Sequence, residues 1–168
     1  MAMYLEFKMT VDRATSPLPT ALAGADAALK LWSVLTRTQN AVARCVRTAV
    51  EPHGISPTEF AVLEVLYTGG PLPIGEVGAR VLLTSGSMTY VADKLVERGL
   101  LARRPCGEDQ RVIYAGLTDA GRTLMDEVYP RYAGVVARAF GDLDESDQRA
   151  ATELLRRIGR CAGGMCER

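Results

Sequence analysis

Residues 84–104 read TSGSMTYVADKLVERGLLARR. The stretch opens on small hydroxyl residues and a glycine, Thr84-Ser85-Gly86-Ser87, a turn that also offers a side-chain oxygen to cap the helix behind it. Residues 86–98 form that helix, with Val91, Leu95 and Val96 facing inward. Gly99 is the residue type that ends a helix in the left-handed conformation. Leu100 to Arg104 follows as a strand, and Val112 to Leu117 reads as a second one. The polar stretch Pro105-Cys106-Gly107-Glu108-Asp109-Gln110-Arg111 joins them, so a β-hairpin follows directly on a helix.

Working backwards, Ser56-Pro57-Thr58-Glu59 is a helix start. The Ser56 hydroxyl can accept from the Glu59 N–H, Pro57 loses nothing at the first helical position, and Glu59 completes the box. Phe60, Leu63, Val65, Leu66 and Tyr67 follow, and Gly69-Gly70-Pro71 stops this helix. Leu72-Pro73-Ile74 is long enough only for an edge strand, and residues 75–82 read as a short helix built on Val77 and Val81. Two short helices, a tight turn between them and a polar-tipped hairpin describe a winged helix-turn-helix.

Long helices flank this core. Leu22, Ala25, Leu29, Trp32, Leu35, Val42, Val46 and Ala49 recur at helical spacing within residues 21–50, and Pro52 and Gly54 end the run. Arg37, Arg44 and Arg47 lie on another face. Downstream, Thr118 caps a helix carrying Leu124, Val128, Tyr132, Val135 and Ala139, which Pro130 should kink. Leu143-Asp144-Glu145-Ser146 opens a last helix with the stripe Ala150, Ala151, Leu154, Leu155 and Ile158, ended by Gly163-Gly164. The expected fold is mainly α with a small β-hairpin wing. The winged core spans 56–117, helical dimerisation regions span 21–55 and 118–162, and 1–20 is expected as a mobile arm or an isolated short element ending in Ser16-Pro17-Leu18-Pro19. A core of about 70 residues does not consume the outer apolar stripes; a second copy of the chain would bury them.

Composition removes several classes of function. The chain has 168 residues with 20 basic and 20 acidic side chains, so it does not hold nucleic acid or membrane by bulk charge. No uncharged apolar run approaches the ~18 residues of a membrane span, and the first twenty residues lack a signal-peptide core, which predicts a cytoplasmic protein. Cys45, Cys106, Cys161 and Cys166 form no C-x-x-C, and the single histidine, His53, sits in a Pro-His-Gly turn read as exposed. No metal site, cofactor or nucleophile–base pair is expected, so an enzyme is disfavoured.

In a helix-turn-helix the second helix presents its N-terminal residues to base edges in the major groove. Here these are Thr84, Ser85, Gly86, Ser87, Met88, Thr89 and Tyr90, with Lys94 further along and within reach of a phosphate. Arg103, Arg104 and Arg111 bracket the hairpin tip, and Asp109 is close enough to Arg111 to orient it. The same residues also suit a plain N-cap and a solvated turn with ion pairs of little weight. From Ile74 to Arg111, six basic residues face five acidic ones, a net of +1, so any DNA affinity must come from placement.

The stretches SPTEFAVLEVL, LLTSGSMTYVADKLVERGLLARR, DQR and LTDAG, in that order, resemble the DNA-binding core of the MarR family of winged-helix regulators. GPLPIGEVGARVLLTSGSMTYVADKL is similar to members that respond to quinones and other small aromatics. The resemblance implies a homodimer joined by the first and the last two helices, with residues 86–98 in a major groove and the hairpin in the adjacent minor groove of a pseudo-palindromic double-stranded operator. Asp109 matches the family's orienting wing carboxylate and Arg111 its minor-groove arginine. Gln110 departs from the usual basic residue, and Tyr90 stands where many members carry Arg or Asn.

Members of that family release DNA on binding a small anion or aromatic between the winged domain and the dimer helices. Trp32, Phe60, Tyr67, Tyr129 and Tyr132 belong to the elements that would line such a cleft, although ordinary core packing is the favoured reading of them, since apolar helix residues are usually packed. Cys106, on the wing among arginines, is the candidate for thiol-based control; Cys45 reads as a small core residue. The leading expectation is a homodimeric repressor released by a small aromatic, phenolic or quinone-like effector. Its competitors are a protein-interaction module without specific DNA binding and a redox regulator acting through Cys106.

Overall fold

The computed structural model describes residues 25–107, 109 and 111–166. The expected arm at 1–20, and Gln110, lie outside the described residues. The elements in order are α1 (Ala25–Val50), a 3-10 turn (Glu51–His53), α2 (Pro57–Gly69), β1 (Leu72–Pro73), α3 (Ile74–Arg80), α4 (Ser85–Glu97), β2 (Leu101–Pro105), β3 (Ile113–Leu117), α5 (Asp119–Ala139) and α6 (Glu145–Cys166). The chain divides into two compact units within α1, Met1–Thr38 and Gln39–Arg168. None of the described helices is long and apolar enough to cross a membrane.

The second unit holds the core. Its sheet is three-stranded and antiparallel in the order β1-β3-β2, with Leu72 opposite Ala115 and the hairpin paired from Leu101↔Leu117 to Pro105↔Ile113. Val62, Leu63, Leu66, Val77, Leu95 and Met125 are enclosed between the helices and this sheet. Val96, expected inward, is 39% exposed. Met88, Val91, Ala92 and Leu95 form the inward face of α4 instead, at the 3-and-4 spacing of a helix.

Three caps fix the joints. The Ser56–Glu59 box forms as the spacing predicts, with the Ser56 N–H donating to the Glu59 carboxylate at 2.8 Å and the Glu59 N–H to the Ser56 hydroxyl at 3.2 Å. At the end of α4, Gly99 has φ +67°, its N–H donates to the Val96 carbonyl, and the Leu100 N–H donates to the Leu95 carbonyl. This is the paired closure that satisfies the last carbonyls of a helix. Thr118 then caps α5 by accepting from the Gly121 N–H at 3.0 Å, while its hydroxyl donates to the Gly99 carbonyl at 2.6 Å. A Cβ at Gly121 would lie 2.0 Å from the Leu100 carbonyl oxygen, so only glycine fits. One threonine and one glycine thereby lock the start of α5 onto the joint between α4 and the hairpin.

One helix boundary differs from expectation. α5 runs through Pro130 as one helix, as its stripe on both sides requires, but α6 continues through Gly163 and Gly164 to Cys166. Glycine costs only about 1 kcal/mol in a helix, less than a stop requires when no capping side chain competes.

Candidate nucleic-acid interface

The two helices of the expected reading head meet closely because Gly78 of α3 lies under Met88 of α4. A Cβ there would come within 3.2 Å of Met88 Cγ. Met88, expected to face DNA, is 3% exposed and belongs to the core. The turn between the helices is not the Thr-Ser-Gly segment but Val81–Leu83. The Leu82 N–H donates to the Ala79 carbonyl and the Leu83 N–H to that of Gly78, with Leu82 at φ +57° and 91% exposed. Leucine thus occupies the left-handed position that ordinarily takes glycine.

Thr84 is the N-cap of α4, accepting from the Ser87 N–H at 3.3 Å and donating to the Ser87 hydroxyl at 2.9 Å. The Thr89 hydroxyl donates back to the Ser85 carbonyl. A Cβ at Gly86 would meet nothing within 4 Å, so the chain's own packing does not require this glycine, and the first turn of α4 is open to a partner. Thr84, Ser85, Gly86, Ser87, Thr89 and Tyr90 are all exposed at this end.

The basic residues have different employments. Lys94 Nζ lies 3.9 Å from the Glu59 carboxylate and 5.7 Å from the centre of the Tyr90 ring, and Arg98 reaches the same carboxylate at 3.3 Å. Glu59 is buried, which alone would raise its pKa; the Ser56 bonds and the two cations outweigh this and hold it below the ordinary glutamate value. Arg103, expected at the hairpin tip, points to α4: it pairs with Asp93 and donates to the Thr89 carbonyl at 3.2 Å. It is a brace between wing and helix, because the alternation of β2 puts Arg103 on the core side with Leu101. Arg104, one residue on, is exposed on the outer face opposite Tyr114. Arg111 is exposed at the tip, and the Asp109 carboxylate accepts from its backbone N–H at 2.9 Å. The orienting bond therefore sets the wing's backbone, not the guanidinium.

The expected effector aromatics divide. Phe60, Tyr132, Tyr129 and Tyr67 pack in series between α2 and α5, each pair of rings tilted, with ring centres 4.7, 5.8 and 5.2 Å apart. Phe60 is core at 2% exposure. The Tyr67 hydroxyl donates to Asp126 at 2.6 Å, which raises its pKa, with Arg122 against its ring. Burial, and then the charge and hydrogen bond of Glu64, push Tyr132 up to about 12; burial also raises Glu64. Trp32 belongs to the other unit and is 66% exposed.

Cys106 is half-buried on an open cleft of about 440 Å³, with Arg104, Tyr114 and Pro71 also on its walls. Cys45, expected in the core, is exposed, as is Cys161. His53, expected in solvent, is a correction in the other direction. Its side chain is only 9% exposed, with Nδ1 3.5 Å from Glu127 of α5. The described residues contain no group of three or more His, Cys, Asp or Glu able to hold a metal.

The missed features had local signals. The spacing Met88-Val91-Ala92-Leu95 marks a core stripe, and Gly78 three residues before the turn marks a close helix approach. The Arg103–Asp93 brace had none, since it depends on how the hairpin folds back over α4.

Comparison with known proteins agrees with this geometry. The family model described as MarR family matches residues 53–112. The uncharacterized HTH-type transcriptional regulator YkoM of Bacillus subtilis is 42% identical over 79% of this chain and 86% of its own length. The HTH-type transcriptional regulator MhqR of the same organism is 39% identical over 78% and 90%. A mutant MarR from E. coli, solved in complex with operator DNA, superposes with a TM-score of 0.70 at 18% identity, covering 80% of this chain and 96% of that one.

Proposed function

The chain belongs to the MarR family of DNA-binding transcriptional regulators, and from that premise we propose that it is a homodimeric repressor of a pseudo-palindromic operator, released by a small aromatic effector. The observation that carries the reading is the exposed first turn of α4, capped by Thr84 and open at Gly86, braced by Arg103 to a hairpin whose tip carries Arg111. In this reading α4 enters the major groove through Thr84 to Tyr90. Arg111 enters the minor groove and Arg104 takes a phosphate.

The homodimer is supported by apolar side chains that the single chain leaves in water. On α1 these are Leu29, Trp32 and Val34; on α6 they are Leu154, Leu155 and Ile158. The effector is proposed as a phenol or quinone-like aromatic because Tyr67, Tyr129 and Tyr132 gather between α2 and α5 beside the Asp126 carboxylate, an aromatic and acidic grouping whose chemistry suits planar ligands. An effector of this kind acts by binding better to a dimer whose two reading helices no longer match successive major grooves, about 34–36 Å apart.

Fluorescence anisotropy of the purified chain on the DNA upstream of its own gene tests this. Tight, salt-sensitive binding to one palindrome, released by a member of a phenol and quinone panel, is the expected result. Weak binding indifferent to sequence would reject it in favour of an interaction module.

A further inference from the structure

Tyr90, Lys94 and Arg98 follow one another at four-residue steps along α4 and its end, so they form one stripe down the helix. Two members of the stripe are tied from behind. Arg98 and Lys94 both face the carboxylate of Glu59, whose side chain is only 7% exposed and whose other oxygen is held by the Ser56 N–H. Lys94 in turn lies against the Tyr90 ring. Lysine is the flexible cation of protein–DNA interfaces, yet here its ammonium already has a carboxylate on one side and an aromatic face on the other.

Tyr90 is the largest exposed side chain on α4, at 64%. Its neighbours toward the N-terminus are short, and Thr84 and Thr89 already donate their hydroxyl protons within the chain. Met88 is in the core. The residue at this height with reach into a groove is therefore a ring with an apolar edge and one hydroxyl. In the major groove, guanine offers two acceptors and suits a forked donor. Adenine offers a donor beside an acceptor and suits an amide. Thymine offers one acceptor, O4, beside a 5-methyl group. A phenol has the complementary pair, a hydroxyl to donate and a ring edge to cover the methyl.

We propose that Tyr90 is the base-specifying residue of α4, that it reads a thymine, and that Lys94 and Glu59 position it. The inference rests on the DNA-reading role proposed above. It makes Lys94 a strut behind the ring and not a phosphate ligand.

The test selects duplexes from a randomised pool with the intact native chain, then measures anisotropy on the enriched duplex. We expect a thymine at one symmetric position of each half-site. Replacing it by deoxyuridine, which lacks only the 5-methyl, should weaken the native chain about fourfold per half-site. The same replacement should have no effect on Tyr90→Ala and an undiminished effect on Tyr90→Phe, which keeps the ring edge. Changing the T·A pair to C·G should cost the native chain about 5- to 100-fold. Lys94→Met should blunt the thymine preference and leave the slope of log affinity against log salt unchanged, whereas loss of a phosphate contact would lower it by about one unit per protomer. Both residues are exposed, and an unchanged melting temperature confirms that the variants fold.

Enrichment with the same thymine preference in Tyr90→Ala would overturn the inference and leave the regulator reading intact. So would a salt slope that falls in Lys94→Met. A pool that yields no preferred sequence with the native chain would overturn both.

Discussion

Between α2 and the first turns of α5, Val62, Leu63, Val77, Ala92, Leu95 and Met125 are fully enclosed, whereas none of the described side chains of α6 is buried and Leu154, Leu155 and Ile158 stay 39–55% exposed. Helices supply most of the enclosed side chains in the first region and all of the second, so helix formation alone does not separate them. Hydrogen-bond closure and burial do. In the winged core each joint is closed within the chain, by Ser56 with Glu59, by Gly99 and by Thr118 with Gly121. An amphipathic helix whose apolar stripe has no cover gains little stability from its own chain, because helices draw most of theirs from tertiary packing. The contrast separates a winged core whose joints close within one chain from a helix whose apolar stripe the single chain leaves uncovered, the face that the proposed dimer would cover.

The largest effect should come from breaking the core at its tightest joint. Gly121→Ala places a methyl group 2.0 Å from the Leu100 carbonyl oxygen, and the backbones of α5 and of the α4–hairpin junction must part. We expect a loss of about 3 kcal/mol in urea denaturation. A loss below about 1 kcal/mol would show that this joint is loose and that the core is less self-sufficient than its packing indicates.

The matching break in that helix should act on association and not on the core. Leu155→Lys on α6 removes an apolar side chain from each of two copies. Burial of such a side chain contributes about 1.5–3 kcal/mol, so dimer dissociation should strengthen by at least a hundredfold in sedimentation velocity. The near-ultraviolet signal of the tyrosines packed between α2 and α5 should persist. An unchanged sedimentation coefficient would remove α6 from the proposed interface.

Much of this contrast was legible in the residues. Capping signals at Ser56, Thr84 and Thr118 and the 3.6-residue stripes are local properties, and the elements form within a residue or two of where those signals place them. Burial on α4 was readable too, but only by giving the spacing of Met88, Val91, Ala92 and Leu95 precedence over the position of Met88 in the reading turn. What the residues did not show is pairing across elements. Arg103 has Asp93 as partner only because β2 folds back on α4, and His53 meets Glu127 only because α5 returns past the 3-10 turn. The aromatics followed the same rule, since neighbours in the series such as Tyr67 and Tyr129 are far apart in the chain.

Glu59 sharpens the comparison by coupling the core to the reading helix. Its folded-state pKa is lowered, so the stability it contributes is present above the ordinary glutamate value of 4.5 and is lost as pH falls through its folded value. Glu59→Gln should cost about 1 kcal/mol near pH 7, the order of a lost cap. It should also flatten the acid limb of the stability profile below pH 4.5, where the native chain loses what the variant never had. Parallel acid limbs in the two proteins would show that the carboxylate carries no net charge–charge stabilisation at the α2–α4 contact.

The smallest expected effect is a gain. Leu82 holds φ +57° in the turn between α3 and α4 while its side chain is almost wholly in water, so its left-handed backbone is not compensated by apolar burial. Glycine adopts that conformation without the Cβ clash that costs an L-residue about 1–2 kcal/mol, but loses more backbone freedom on folding. Leu82→Gly should therefore raise stability by about 0.5–1 kcal/mol in chemical denaturation. The informative comparison is with DNA affinity measured on the same variant. If affinity is unchanged, the strained leucine is a neutral occupant of a glycine position. If affinity falls while stability rises, then the exposed leucine at the apex of the helix-turn-helix contributes to the interface itself, and the boundary between a self-satisfied core and a surface awaiting a partner passes through this turn.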